Sequence, residues 1–265
     1  MIGLLHSVDP LYVLSGVVVG ALVGFTGVGG GSLMTPLLIL VFGIHPAAAV
    51  GTDLLYAAAT KSAGSLVHGF NRNIDWKVVG LLALGSVPIT ALTILLLYKL
   101  GIDSKTAQML ITKLLGVALL LTALLLFLRQ PLIRFYERHV TRLPQATVDW
   151  LTVATGVVLG LLVTISSVGA GAIGVTALVL LYPKMPSQRI VGSDIAHAVP
   201  LTLLAGLGHS MLGTINLHIL FSLLCGSLPA IVIASIASAR APDVVIRIAL
   251  ASVLLLVCAR FWFVG

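Results

Sequence analysis

Apolar residues run in long blocks along this chain, separated by short polar stretches, and alternation at the strand period is absent. Residues 47–68, 76–98, 106–128 and 244–263 each form one block with the roughly 20 residues that a helix needs to cross a bilayer core of about 30 Å. Residues 188–208 and 217–238 repeat the first two blocks later in the chain. The stretches 11–43 and 150–182 are too long for one span, and a glycine cluster cuts each of them. The resulting pieces, 11–25, 31–42, 150–165 and 171–182, predict helices that reach roughly half to three-quarters of the core. Each stretch is either one broken helix or a hairpin of short helices that dips in and returns.

The blocks repeat because the residues do. Thr26-Gly27-Val28-Gly29-Gly30-Gly31 is answered by Ser166-Ser167-Val168-Gly169-Ala170-Gly171 at an offset of 140, which also pairs Pro46 with Pro186. An offset of 141 then matches Gly51 with Gly192, Asp53 with Asp194, His68 with His209, Gly85 with Gly226 and Pro88 with Pro229. Two copies in so apolar a chain suggest a carrier whose substrate site lies between them.

Composition narrows the class. Hydrophobic residues make up 59% and charged residues 9%, against about 25% charged in a soluble domain. Too little polar surface exists to coat a water-soluble globule, so the lipid bilayer is the expected partner. The net charge of +7 gathers in short loops, as in membrane proteins that fix their orientation by charge, and does not point to nucleic acid. Residues 10–25 lack the basic flank and cleavage pattern of a secretory signal and read as structural. Cys225 and Cys258 lie in apolar runs outside any CxxC or His-rich frame, which predicts buried thiols and no metal site.

Charge placement also bears on topology. Arg129, Arg134, Arg138 and Arg142 mark the 129–142 loop as cytoplasmic, and counting back places Arg72 and Lys77 there too. The hairpin arrangement puts Lys184, Arg189, Arg240 and Arg247 inside as well, whereas a single broken span would put them outside. Lys99 and Lys105 on the outer face run against the rule. The expectation is therefore an all-α polytopic membrane protein of two inverted-topology repeats with about five helical elements each. Every repeat opens with a glycine-broken pair of short half-helices, and both termini lie outside. Residues 1–128 form the first repeat, 129–147 a basic cytoplasmic linker and 148–265 the second repeat.

Candidate chemistry concentrates at the duplicated motifs. Short helices starting near Ser32 and Ala172 would aim free N–H groups at the midplane, where helix ends attract anions. Thr26, Gly27, Gly29, Gly30, Gly31 and Ser32, with Ser166, Ser167, Gly169 and Gly171, are the substrate-binding candidates. Small residues at these places also serve plain helix packing. Asp53 and Asp194 lie about two turns inside their helices, as coupling carboxylates or as structural acceptors for a neighbouring half-helix. Lys61, two turns beyond Asp53, either attracts an anion or snorkels to the interface; Thr202 takes its place in the second copy. His68 and His209 near helix ends read as interfacial hydrogen-bonding groups, and His197 stands where the first copy has Tyr56; proton handling is the other role for all three. Their spacing is not a metal-ligand pattern. Pro88 and Pro229 predict matched kinks, either hinges or static bends. No nucleophile–base arrangement or phosphate loop is present, so no enzyme and no cofactor are expected.

Taken together, Gly27-Val-Gly-Gly-Gly-Ser32 with Pro36, Gly51-Thr52-Asp53, Lys61 through His68, Val191-Gly192-Ser193-Asp194-Ile195-Ala196-His197 and Gly206-Leu207-Gly208-His209 resemble the TauE/SafE (sulfite exporter) family. The resemblance spans residues 10–262. It implies an inner-membrane permease for a sulfur-containing anion such as sulfite, thiosulfate or an organosulfonate, with export as the usual activity. The second glycine motif departs from the first, so equal substrate contact by both halves does not follow. A passive channel, or a membrane-embedded subunit of a sulfur-metabolism enzyme, would use the same features. Small-residue helix faces are compatible with a homodimer.

Overall fold

The structure is a computed structural model that describes residues 9–26, 31–70, 72–101, 105–139 and 143–237, together with 252 and 255. Nine helices account for most of these: α1 (Pro10–Thr26), α2 (Gly31–Leu40), α3 (Pro46–Phe70), α4 (Trp76–Leu100), α5 (Lys105–His139), α6 (Gln145–Ser166), α7 (Ala172–Leu181), α8 (Ser187–Met211) and α9 (Leu217–Ala237). Five of them, within α4, α5, α6, α8 and α9, are long and apolar enough to cross a membrane. The expected span 244–263 and most of the first glycine cluster, Gly27 to Gly30, lie outside the described residues.

Side chains are sorted for lipid rather than for water. Leu84, Leu92, Leu96, Phe127, Val158 and Ile233 point outward, while Thr52, Asp53, Lys61, Ser86, Thr90, Asp194, His197 and His209 are buried. Helices pair backbone N–H and C=O groups within themselves, the arrangement a hydrocarbon solvent demands. The chain is an all-α, multi-pass membrane protein.

Helix pairing is set by glycines. On the α4–α6 seam, a side chain at Gly85 would collide with the Val153 carbonyl, one at Gly156 with that of Leu82, and one at Gly160 with that of Ser86. On the α1–α9 seam, Gly226 faces the Val13 carbonyl, Gly16 that of Leu223 and Gly20 that of Ser227. Residue numbers rise together in both seams, so each pair is parallel. Central to the bundle, α3 and α8 cross in the opposite sense, with Gly64 against Ile195 and Gly206 against Leu55.

Contacts at the helix ends define two faces. At one, Lys77 pairs with Asp149 at 2.8 Å and Arg189 with Asp75 at 3.2 Å, joining the starts of α4, α6 and α8. Tyr182, just past α7, meets Thr152 near the start of α6 at 2.9 Å. The chain therefore folds back between α6 and α7 and returns to the face it left. At the opposite face the ring of Tyr12 stacks at 4.4 Å on that of Phe42, just past α2, and the Asp9 N–H donates to Ser222 at the start of α9. The α1–α2 pair thus opens on this second face.

Three expectations need correction. α6 has 22 residues and is long enough to cross rather than a half-helix, while α1 with 17 and α2 and α7 with ten each are short. α6 picks up extra residues because 145–149 continue it into the interface, where Gln145 donates to Asp149 one turn on. The expected basic loop 129–142 is helical up to His139 as the end of α5. Cys225 is exposed on α9 rather than buried, which in a bilayer means a lipid-facing thiol.

Candidate functional site

Helices α3 and α8 carry the charged centre. Facing positions across their antiparallel crossing have numbers that sum to about 260, which sets Lys61 level with residues 198–200. Asp53 then lies about 12 Å towards one face at 1.5 Å per residue, and Asp194 lies towards the other. Lys61 is 4% exposed, Asp53 0% and Asp194 1%. The lysine therefore does not snorkel to the interface. Its charge acts on both carboxylates and on His197.

Each aspartate meets the N-terminal half of a short helix. The Thr35 hydroxyl of α2 donates to Asp53 Oδ2. Asp194 is seated against Gly174 of α7, where any side chain would collide with its Oδ1. Neither oxygen of Asp194, nor Oδ1 of Asp53, has a hydrogen-bond partner among the described residues. Ser167 brings the turn of the α6–α7 hairpin beside Asp53, although its Oγ makes no hydrogen bond there.

That turn is irregular in the way its residues allow. Ser167 closes α6 with a left-handed φ of 58°, its N–H donating to the Val163 carbonyl. Gly169 follows at φ 116°, a region that disfavours any side chain. Ser166 Oγ accepts from the Val168 N–H, and the carbonyls of Gly169 and Gly171 take the Ile173 and Val175 amides. The amides of Ala170, Gly171 and Ala172 donate to no backbone carbonyl among the described residues. Unpaired donors at a helix start form a seat for negative charge. Thr26 ends α1, and Gly31 and Ser32 are the first two residues of α2; Gly27, Gly29 and Gly30 fall outside the described residues.

Polar side chains continue from this centre along α4 and α6. His197 Nε2 and Ser86 Oγ are 2.9 Å apart. At the matched positions of the other copy, Tyr56 and Ser227 approach each other. Further along, Thr164 donates to Thr90. His209, on the last turn of α8, is fully buried in the protein, with Nε2 3.0 Å from the Thr164 carbonyl and Nδ1 3.2 Å from Thr214 Oγ1. His68, its counterpart, is half-buried on the last turn of α3 and away from this row. Pro88 and Pro229 lie inside α4 and α9, which continue through them.

The motif glycines and hydroxyls have a further task. Thr52 Oγ accepts the N–H of Asn216, while Ser193 Oγ accepts that of Asp75. Asn216 and Asp75 in turn accept from the first turns of α9 and α4. Gly51 and Gly192 leave the space in which these loops approach. Sequence reasoning assigned roles to the aspartates of these motifs and missed Thr52, Ser193, Thr35, Ser86 and Gly174. Ser86 and Ser227 were findable, since the offset of 141 that matches Gly85 with Gly226 matches them too.

Known proteins similar to this chain fit the same picture. A family model described as "Sulfite exporter TauE/SafE" matches residues 12–261. A "Probable membrane transporter protein YjnA" from Bacillus subtilis is 38% identical over 244 residues, covering 92% of this chain and 95% of that one. A "Probable membrane transporter protein MJ0441" from Methanocaldococcus jannaschii is 27% identical, covering 75% of this chain and 70% of the relative. No solved structure matches.

Proposed function

The chain belongs to the sulfite exporter TauE/SafE family, so it is a membrane transporter and not an enzyme, and from that premise we propose that it is a secondary carrier of a small sulfur-containing anion. Sulfite, thiosulfate and small organosulfonates are the substrate class, export from a bacterial cell across the inner (plasma) membrane is the direction, and alternating access is the mechanism. The anion sits between the turns of the two hairpins. Ser166, Ser167, Gly169 and Gly171 hold it from one side, and Thr26, Gly27, Gly29, Gly30, Gly31 and Ser32 from the other. Lys61 supplies the positive charge.

One observation carries this reading: a buried lysine stands between two hairpins that open on opposite faces. The matched seams α1–α9 and α4–α6 support two inverted repeats that embrace one another, a construction suited to rocking about a central site. On that reading the face bearing Lys77, Lys184 and Arg189 is cytoplasmic.

Thermal stabilisation of the purified protein by a panel of anions tests it. The panel holds sulfite, thiosulfate, taurine, sulfate, phosphate and acetate. A ligand at one hundred times its Kd adds about 2.7 kcal/mol to the native state. Selective stabilisation by a sulfur anion, reduced in Lys61→Met and Gly30→Val, is the expected outcome. Equal response to acetate, or a response that both variants keep in full, would overturn the site.

A further inference from the structure

We propose that the anion enters this site together with a proton, and that Asp194 and Asp53 are the groups that take it. The proposal rests on the carrier reading above and names its coupling ion. Two carboxylates and one ammonium are buried on α3 and α8. Among the described residues, Lys61 is the cation whose charge reaches either carboxylate.

The other elements packed here bring neutral groups. α2 offers the Thr35 hydroxyl, α4 Ser86, α9 Ser227, the end of α6 Ser167, α7 only Gly174 and backbone, and α5 turns Thr122 inward. Tyr56 and His197 complete the set on α3 and α8, and His209 is occupied by the Thr164 carbonyl.

Charge balance then decides the chemistry. Fully ionised, the three groups sum to −1 before any substrate arrives. A carboxylate buried without a cation to balance it takes a proton rather than stay ionised. In the empty carrier one carboxylate balances Lys61 and the other holds a proton. An arriving monoanion takes over Lys61, and the displaced carboxylate binds one proton from water at an oxygen. On release the O–H bond breaks, the proton leaves to water and the carboxylate returns to Lys61. No net charge crosses for a monoanion, so the membrane potential does not act on the step, and export follows the anion's own outward gradient with a proton carried along. The unpartnered oxygens, both on Asp194 and one on Asp53, are where the proton goes.

Ethanesulfonate and thiosulfate stay ionised at neutral pH, so protons that accompany their binding belong to the protein. Calorimetric titration of the full chain in buffers of different ionisation enthalpy counts those protons. About one proton taken up per ethanesulfonate is expected, following proton linkage. Asp53→Asn with Asp194→Asn removes the uptake while the anion still binds; each single variant keeps one carboxylate to balance Lys61 and should still take up about one proton, so if the double variant does not fold, the count in the unaltered protein decides. Binding without proton uptake in the unaltered protein, or uptake undiminished by the double substitution, overturns the coupling. Binding that Lys61→Met leaves unchanged overturns the site on which the coupling stands, and binding of neither anion overturns both.

Discussion

Gly174 fixes the room available to the Asp194 carboxylate, and its neighbours show why no larger residue serves. A methyl group there would collide with Asp194 Oδ1 and touch Leu159 Cδ1 at 3.4 Å. α7 is buried along this face, with Ala172, Ile173, Val175 and Leu178 all in the core. It therefore cannot shift outward cheaply, and overpacking of this sort costs about 1–3 kcal/mol. Gly174→Ala is expected to destabilise by that order, measured by denaturation in detergent. Asp194→Ala removes the clashing carboxylate, so the second substitution should cost less in the Asp194→Ala background, a coupling that a double-mutant cycle reads. Equal cost in both backgrounds would show that Gly174 is constrained by Leu159 and not by the carboxylate. At the matched position the first copy has Met34, fully buried, and Asp53 meets the Thr35 hydroxyl instead. The two halves thus hold their aspartates by different means, which the simple offset between copies could not reveal.

At the scale of helices, the two seams are the same joint made twice. Gly85 receives the backbone of Val153 and Val157 as Gly226 receives that of Val13 and Val17. Close backbone approach through small residues is how helices associate where lipid tails compete for every apolar contact. Gly85→Val and Gly226→Val should therefore each lower the midpoint of thermal unfolding, by amounts similar to one another. A large effect at one and none at the other would mean that one seam is dispensable. Much of this scale was legible in the sequence. The offsets of 140 and 141 gave the equivalences, and hydropathy placed α3, α4, α8 and α9 closely. The partners were not legible, because a glycine announces a close approach without saying which backbone approaches. The run of α5 to His139 was hidden too, since Arg129, Arg134 and Arg138 are good helix formers that look like a loop by charge alone. The glycine clusters by themselves fit a broken span and a hairpin, and charge placement favoured the hairpin; the Thr152–Tyr182 contact brings the end of α7 back beside α6.

For the whole molecule, the opposed openings of the hairpins turn charge into topology. Lys77, Lys184 and Arg189 lie on one face with the start of α6; the 212–216 turn, without a charged residue, lies on the other with the start of α1. The exposed pair Lys77–Asp149 adds little stability, as surface ion pairs do, but the excess of Lys and Arg orients the bundle during insertion. Residue 184 should then face the cytoplasm and residue 213 the exterior, with α8 crossing the bilayer between them. Starting from a protein with Cys225→Ser and Cys258→Ser, Gly213→Cys should react with an impermeant maleimide added to intact cells. Lys184→Cys should react only after the membrane is opened or inverted. The reverse pattern would place the basic face outside and invert the carrier. Labelling of both from one side would mean that α8 does not span, and the central position of Lys61 between two opposed hairpins would fall with it.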